Sequence, residues 1–345
     1  MRICPVTFCD RRLNWWTHGP DALFSPGAIK RFPAHSPEVN ALADKKDFLA
    51  IDDYSTEDLR AILTLAREQK PLVHEHRLPH THPNRILACV FAKPSLRTRV
   101  SFEVGFRQLG GETLFITDKE IGMGTRESVH DVAKVMSRFT DGIMIRWFDH
   151  QEVLDLAKYS SVPVINGLTD LNHPCQVMAD IMTVEEHLGT IDGKTVVMIG
   201  DGNNLANSWL NASIRFPFNF ILACPEGYLP DEGIMRKAEA AGASFMITHD
   251  AREAVEGAHV IYSDAFYSMG QEEEAVKRRK DFAPFQITSN LLGSAHEDHI
   301  VLHCLPAHRG EEITDEVMDG PHSVVFDEAE NRMHAQRAIM ATLIG

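Results

Sequence analysis

The sequence predicts an α/β protein built from two doubly wound parallel sheets, with a final helix that packs back on the first. Three observations predict it. Short apolar runs such as Ile86–Phe91 and Thr195–Gly200 are almost free of polar interruption, as strands buried on both faces are. Amphipathic stretches alternate with these runs from Phe48 onward. Polar and charged residues gather just after the runs, where ligands of such sheets sit. A chain of 345 residues, 44% hydrophobic, exceeds one ordinary core and predicts two domains of roughly 150 residues each.

The expected organisation is an extension with little structure over residues 1–46, a first domain over 47–185, a second over 186–326 and a returning helix over 327–345. The extension mixes Arg11, Arg12, Trp15, Trp16 and several prolines without periodicity, and reads as a transit peptide or an upstream extension.

Ser55-Thr56-Glu57-Asp58 then reads as a helix start ahead of Leu59, Ile62, Leu63, Leu65 and Ala66. Strand Ile86–Phe91 leads into a helix from Leu96 to Gln108, with Val100, Phe102, Val104, Phe106 and Leu109 expected to make it half-buried. Next come strand 112–117, helix 128–139, strand 142–147, helix 151–159, strand 162–166 and a helix from about Pro174 to Leu188. The second set has strands at 195–200, 220–224, 245–248, 259–262 and 299–303, with helices between. It closes with apolar Val324-Val325-Phe326 and a helix from about Glu328 to Ile344.

The segment Phe91–Glu103 carries the first chemical signal. A helix opening at the end of a strand aims free N–H groups and its positive dipole end at whatever sits there. Ser95 and Thr98 add hydroxyls, and Arg97 and Arg99 add guanidiniums within one turn, which makes an anion site, most plausibly for phosphate. On spacing alone an N-cap with solvated arginines competes evenly with that reading. No G-x-x-x-x-G-K-[ST] occurs, so a nucleotide signature is missing.

Other reactive side chains fall on the same sheet edges: Arg146, His173, Cys175 and Gln176, then Asp201, Asn203 and Asn204, then Asp264, Ser268 and Met269, then Cys304 and Leu305. A net charge of −15 argues against a nucleic-acid partner. No apolar run reaches the length of a membrane span. Six scattered cysteines without a C-x-x-C pair fit a reducing compartment, cytoplasmic or, with a transit peptide, an organelle matrix.

Taken together, Ser95–Arg99, His173-Pro174-Cys175-Gln176, Asp264 through Ser268-Met269-Gly270, His303-Cys304-Leu305-Pro306, Gly200–Asn204 and Glu330-Asn331-Arg332 resemble the aspartate/ornithine carbamoyltransferase family in order and approximate spacing. The Asp264 and Cys304 motifs look like its ornithine carbamoyltransferases, and the likeness runs from about residue 47 to the end.

The resemblance implies a homotrimeric enzyme of arginine metabolism. It would carry the carbamoyl group from carbamoyl phosphate to the δ-amine of L-ornithine, giving citrulline and phosphate, with no metal and no organic cofactor. By similarity, Ser95, the Leu96 backbone, Arg97 and Thr98 hold the phosphate; Arg146 bridges phosphate and carbonyl oxygen; His173 donates to that carbonyl; Gln176 holds the carbamoyl amide. Asn204, Asp264, Ser268 and Met269 take the amino-acid end, Cys304 and the Leu305 carbonyl orient the δ-amine, and Arg332 joins the site. Arg146, His173 and Cys304 are the residues implied in catalysis. The sequence departs from the family at two places: Leu96 stands where many members have Thr, and Gly122 where many have a Gln that reaches a neighbouring subunit.

Three rival readings differ in class. A dinucleotide-dependent dehydrogenase needs the third glycine of G-x-G-x-x-G, which Gly200–Leu205 lacks. A non-catalytic binding module does not require His, Arg and Cys to converge. A sister carbamoyltransferase acting on putrescine, acetylated ornithine or aspartate is the nearest rival, and Asp264 with Ser268-Met269-Gly270 favours a free α-amino acid.

Overall fold

The computed structural model describes residues 47–267 and 274–345, so the extension, Ser268, Met269 and Gly270 lie outside the described residues. The first half contains α1 (Thr56–His74), β1 (Ile86–Phe91), α2 (Leu96–Gln108), β2 (Glu112–Thr117) and α3 (Asp118–Ile121). It continues through α4 (Val129–Phe139), β3 (Gly142–Arg146), α5 (His150–Tyr159), β4 (Val164–Leu168) and α6 (Pro174–Leu188). The second half opens with β5 (Thr195–Ile199), α7 (Asn204–Ser213), β6 (Asn219–Ala223), α8 (Glu232–Ala240), β7 (Phe245–Thr248) and α9 (Ala251–Val255). After these come β8 (Val260–Ser263), α10 (Ala275–Phe282), α11 (Ser289–Leu292), β9 (Ile300–His303), α12 (Asp315–Met318) and α13 (Val325–Leu343).

All pairings are parallel, in the orders β2-β1-β3-β4 and β7-β6-β5-β8-β9. Strand order therefore reverses between β1 and β3 in one sheet and between β5 and β8 in the other. Crevices open at such points beyond the strand ends. Arg146 ends β3 and the α2 N-terminus follows β1, so both flank the first crevice. Asn203 and Asp264 flank the second, and Asn203 Nδ2 donates to Asp264 Oδ2 across it at 2.9 Å.

Local chemistry explains the main boundaries. Ser55 caps α1 with a capping box to Asp58, and Leu59, Ile62, Leu63 and Ala66 form its buried stripe. Strand β3 is buried throughout, whereas β2 lies at the sheet edge and exposes Leu114 and Phe115.

Three expectations need correction. In α2, Phe102 and Phe106 are buried but Val100 and Val104 face solvent, because residues two apart lie on opposite sides of a helix. The buried stripe is instead Thr98, Ser101, Phe102, Gly105 and Phe106. The strand expected at 162–166 begins at Val164, past Pro163, which has no N–H to give a ladder. The last helix, expected from about Glu328, already starts at Val325 and takes in Phe326.

Helix α13 packs against α6, α1 and α2. Helix α6 is buried from Pro174 to Glu185. The interior between these helices is polar as well as apolar: Asp180, Gln176, Glu328, Asn331 and Arg332 are all buried there.

Candidate active site

Ser95 is the N-cap of α2, and its hydroxyl accepts from the Thr98 N–H at 3.3 Å. Leu96 turns its side chain to solvent, which leaves only its backbone for the site. Thr98 is fully buried, and its hydroxyl oxygen accepts from Arg332 Nη2 at 2.7 Å and lies 3.5 Å from Arg146 Nη1. Thr98 thus holds two guanidiniums from different parts of the chain in one place.

Arg146 is aimed by a bulge. Ile145 pairs with Asn166 but Arg146 pairs with Leu168, so Gly167 is skipped and the strand end is turned. A Cβ at Gly167 would stand 2.7 Å from Met144 Sδ and 3.2 Å from the Ile145 carbonyl oxygen, which explains the glycine.

The Nε atoms of Arg97, Arg146 and Arg332 are all buried without a protein partner. Burial pushes Arg146 down to about 10, and the neighbouring Arg332 and Arg97 push the same way. Arg332 is lowered by burial and by Arg97, against the opposing pull of Cys304. Three such cations with unfilled donors are costly to bury together unless an anion completes them.

His173 caps α6, and its backbone N–H donates to Ser208 Oγ at 2.7 Å. Burial, then Arg332 and Arg146, hold its imidazole well below the usual histidine range. It is therefore neutral near pH 7, with one ring N–H to donate. Gln176 Oε1 is buried and unpartnered, while its Nε2 donates to Asp180 and Glu328.

On the facing side, Cys304 Sγ donates to Asp264 Oδ1 at 3.0 Å. Burial and then Asp264 raise the Cys304 thiol well above the usual range, so it acts as a thiol and not as a nucleophilic thiolate. His303 Nδ1 accepts from the Leu305 N–H at 2.9 Å, which places its proton on Nε2 facing Glu312 Oε1 at 3.1 Å. Leu305 itself sits at φ 58, in the left-handed region, ahead of a cis bond to Pro306. Asn204 Nδ2 is engaged by the Thr169 carbonyl at 2.7 Å.

The structure brings Ser95, Arg97, Thr98, Arg146, His173, Gln176, Arg332, Asp264 and Cys304 toward one region: Arg146 feels Arg332, Cys304, Arg97 and Asp264. Sequence reading missed Asn203 as the partner of Asp264, and Asp180 and Glu328 behind Gln176. Asn203 was visible as the capping residue just before α7; the carboxylates had no signal beyond sharing helices with Gln176 and Arg332. Gly122 has a structural cause, since it ends α3 in the left-handed region at φ 59.

Among the described residues, His74, Glu330 and His334 lie close enough to invite a metal ion. The donor set does not fit. Arg337 donates to His334 Nδ1 at 3.0 Å, so Nε2 keeps its proton and points it at Glu330 at 2.9 Å.

Comparison with known proteins matches residues 46–186 to the carbamoyl-P binding domain, and residues 192–343 to the Asp/Orn binding domain, of aspartate/ornithine carbamoyltransferases. The chain belongs to the aspartate/ornithine carbamoyltransferase family. Within that family it is 52% identical to the chloroplastic ornithine carbamoyltransferase of Pisum sativum over 302 residues, covering 87% of this chain and 80% of that one. It is 49% identical to the ornithine carbamoyltransferase of Thermococcus kodakarensis over 305 residues, covering 87% and 96%. The solved ornithine carbamoyltransferase of Pyrococcus furiosus superposes with a TM-score of 0.84 at 47% identity, over 87% of this chain and 97% of that one. The carbamoyltransferase fold expected from sequence is thereby established, with the C-terminal helix included.

Proposed function

We propose that this enzyme transfers the carbamoyl group of carbamoyl phosphate to the δ-amine of L-ornithine, giving L-citrulline and phosphate. The observation that carries the reading is a set of three neighbouring guanidiniums, Arg146 and Arg332 buried at Thr98 and half-buried Arg97 beside them, whose Nε atoms lack protein partners. A phosphate dianion with an adjacent carbonyl supplies the acceptors they need.

In this reading residues 47–185 hold the donor. Ser95, the Leu96 N–H, Arg97 and Thr98 take the phosphate, with the dipole of α2 behind them. Arg146 spans phosphate and carbonyl oxygen, and neutral His173 donates to the same oxygen as it becomes an oxyanion. Each preorganised donor of this kind contributes about 3 kcal/mol to lowering the barrier. Gln176 Oε1 accepts from the carbamoyl amino group, and Arg332 adds charge from α13.

Residues 186–326 deliver the acceptor. Asp264 pairs with the ammonium end, helped by Asn203, while Asn204, Ser268 and Met269 complete the amino-acid site. Cys304 and the Leu305 carbonyl orient the δ-amine, which attacks in neutral form. The new C–N bond forms as the C–O bond to phosphate breaks, and the amine proton leaves with the phosphate or solvent.

The exposed apolar residues Leu96, Val100, Val104, Leu114 and Phe115 on α2 and β2 support an interface between copies of the chain, and the assembly proposed is a homotrimer. Light scattering should then give three times the chain mass of 38.7 kDa. The proposed location is the cytoplasm, or an organelle matrix where residues 1–46 serve as a transit peptide. A reporter fused to those residues decides between them. Among the described residues no helix is long and apolar enough to cross a membrane.

The function is tested by incubating purified protein with carbamoyl phosphate and ornithine, putrescine, N-acetylornithine or aspartate. Citrulline should form, and the other three amines should react at least a hundredfold more slowly. A preference for another amine would assign a sister activity.

A further inference from the structure

Behind Gln176 lies a pair of buried carboxylates that the proposed mechanism does not use. Asp180 on α6 and Glu328 on α13 are both fully buried. Gln176 Nε2 donates to Asp180 Oδ1 at 2.8 Å and to Glu328 Oε1 at 3.0 Å. A primary amide has two N–H bonds, and both are now engaged. Its Oε1 must face the other way, and it is buried without a partner. The reversed amide would set an acceptor oxygen against two carboxyl groups.

The pair differs within itself. Glu328 also accepts from the His303 N–H at 2.7 Å and from the Tyr262 hydroxyl at 3.4 Å. Asp180 accepts only from the Gln176 amide, no group donates to its Oδ2, and its remaining hydrogen bond is the one it shares with Glu328. Two carboxylates this close cannot both ionise in a buried site, and the one with more donors keeps the negative charge. The shared proton therefore rests on Asp180. Burial raises both groups, Asp180 more strongly and Glu328 to about 7, in agreement with this assignment. Glu328 also ties Gln176 to the backbone of His303, next to Cys304, so one carboxylate reaches both substrate sides.

We infer that Asp180 and Glu328 form a positioning pair that fixes Gln176 as a pure hydrogen-bond acceptor and so selects acyl phosphates bearing NH2 on the carbonyl carbon over those bearing CH3. The inference deepens the proposed function and rests on its placing of the carbamoyl group at Gln176. A methyl group would leave Oε1 buried and unpaired, which penalises the wrong donor more than a merely apolar pocket could.

The test measures equilibrium binding by calorimetry, so that it does not depend on which amine is the acceptor. Phosphonoacetamide stands in for carbamoyl phosphate, 2-oxopropylphosphonate is its methyl counterpart, and inorganic phosphate probes the cationic pocket alone. The wild type should bind the amide at least about tenfold tighter than the methyl ketone. Glu328→Gln sets an N–H against the N–H of His303 or Gln176. Asp180→Ala removes an acceptor. Both should bring the ratio to within about threefold of unity while phosphate affinity moves by less than about threefold. Asp180→Asn reproduces the protonated acid, accepting from Gln176 and donating to Glu328, and should recover most of the ratio lost in Asp180→Ala.

Retention of the wild-type ratio in Asp180→Ala would overturn the inference. So would equal loss of all three ligands, or an Asn variant no better than Ala. If Glu328→Gln does not fold, the Ala and Asn pair at Asp180 decides alone. Failure of the wild type to make citrulline, with the binding ratio intact, would count against the ornithine reading and leave the positioning pair standing.

Discussion

The two sides of the site are built differently. On the proposed donor side, Thr98, Arg146, His173, Gln176 and Arg332 are all buried, and the Nε atoms of both arginines, His173 Nδ1 and Gln176 Oε1 lack protein partners, as does Nε of half-buried Arg97. On the acceptor side, Asp264 and Cys304 are only partly buried and already bond each other, with Asn203 on the second carboxylate oxygen. In the proposed reading one side is preorganised for an anion, while the other is self-satisfied and exchanges contacts when an amine binds. Preorganised donors act on the barrier, whereas exchangeable contacts act on binding and specificity.

That contrast is sharpest in mutants. Arg146→Ala should lower kcat/KM by roughly a thousandfold and Arg97→Ala by at least about a hundredfold. The exposed, ion-paired Arg236 serves as control, and Arg236→Ala should stay within about twofold. Steady-state citrulline assays check this, and arginine variants with wild-type rates would break the contrast.

Asp264→Asn should act on the acceptor alone, raising the ornithine KM by about ten- to a hundredfold with the carbamoyl phosphate KM within about threefold. An equal rise in both would erase the division of labour. Cys304 gives a smaller effect: Cys304→Ala should reduce kcat/KM by about tenfold, and Cys304→Ser, which keeps a donor toward Asp264, should recover part of it.

The smallest expected effect concerns stability and pH. His334 is buried on α13, and burial, followed by the charge of Arg337 against the pull of Glu330, lowers it to about 4. Its unfolded value is higher, so between about pH 6.5 and 4 the unfolded chain binds the extra proton. Stability from this group is complete above that window and is lost as the pH falls through it. Thermal melts should show His334→Gln flattening the acid limb by a few degrees relative to wild type. An unchanged acid limb would remove His334 from the account.

Much of the donor side was legible in sequence because it is local. Ser95 and Thr98 share one helix turn, and Arg146 and His173 sit where an apolar run ends and a helix begins. The burial of α2 was misread because alternating apolar residues imitate a strand, and only the angular spacing of 102, 105 and 106 reveals the inner face. Glu328 was illegible for a different reason: it lies 152 residues from Gln176, and no local pattern announces that contact. The same holds for Asn203 meeting Asp264 across the second switch point. Gly122 looked like a lost contact in sequence, yet the left-handed end of α3 supplies a backbone reason for it.

The central claim is that Arg97, Arg146 and Arg332 form a cationic pocket that binds a phosphate-bearing donor. Calorimetric titration of phosphonoacetamide into the wild type and Arg146→Ala, repeated at two salt concentrations, tests it most directly. The account predicts one site per chain in the wild type, weakened at least about a hundredfold by the substitution. Equal binding by the two proteins would contradict it.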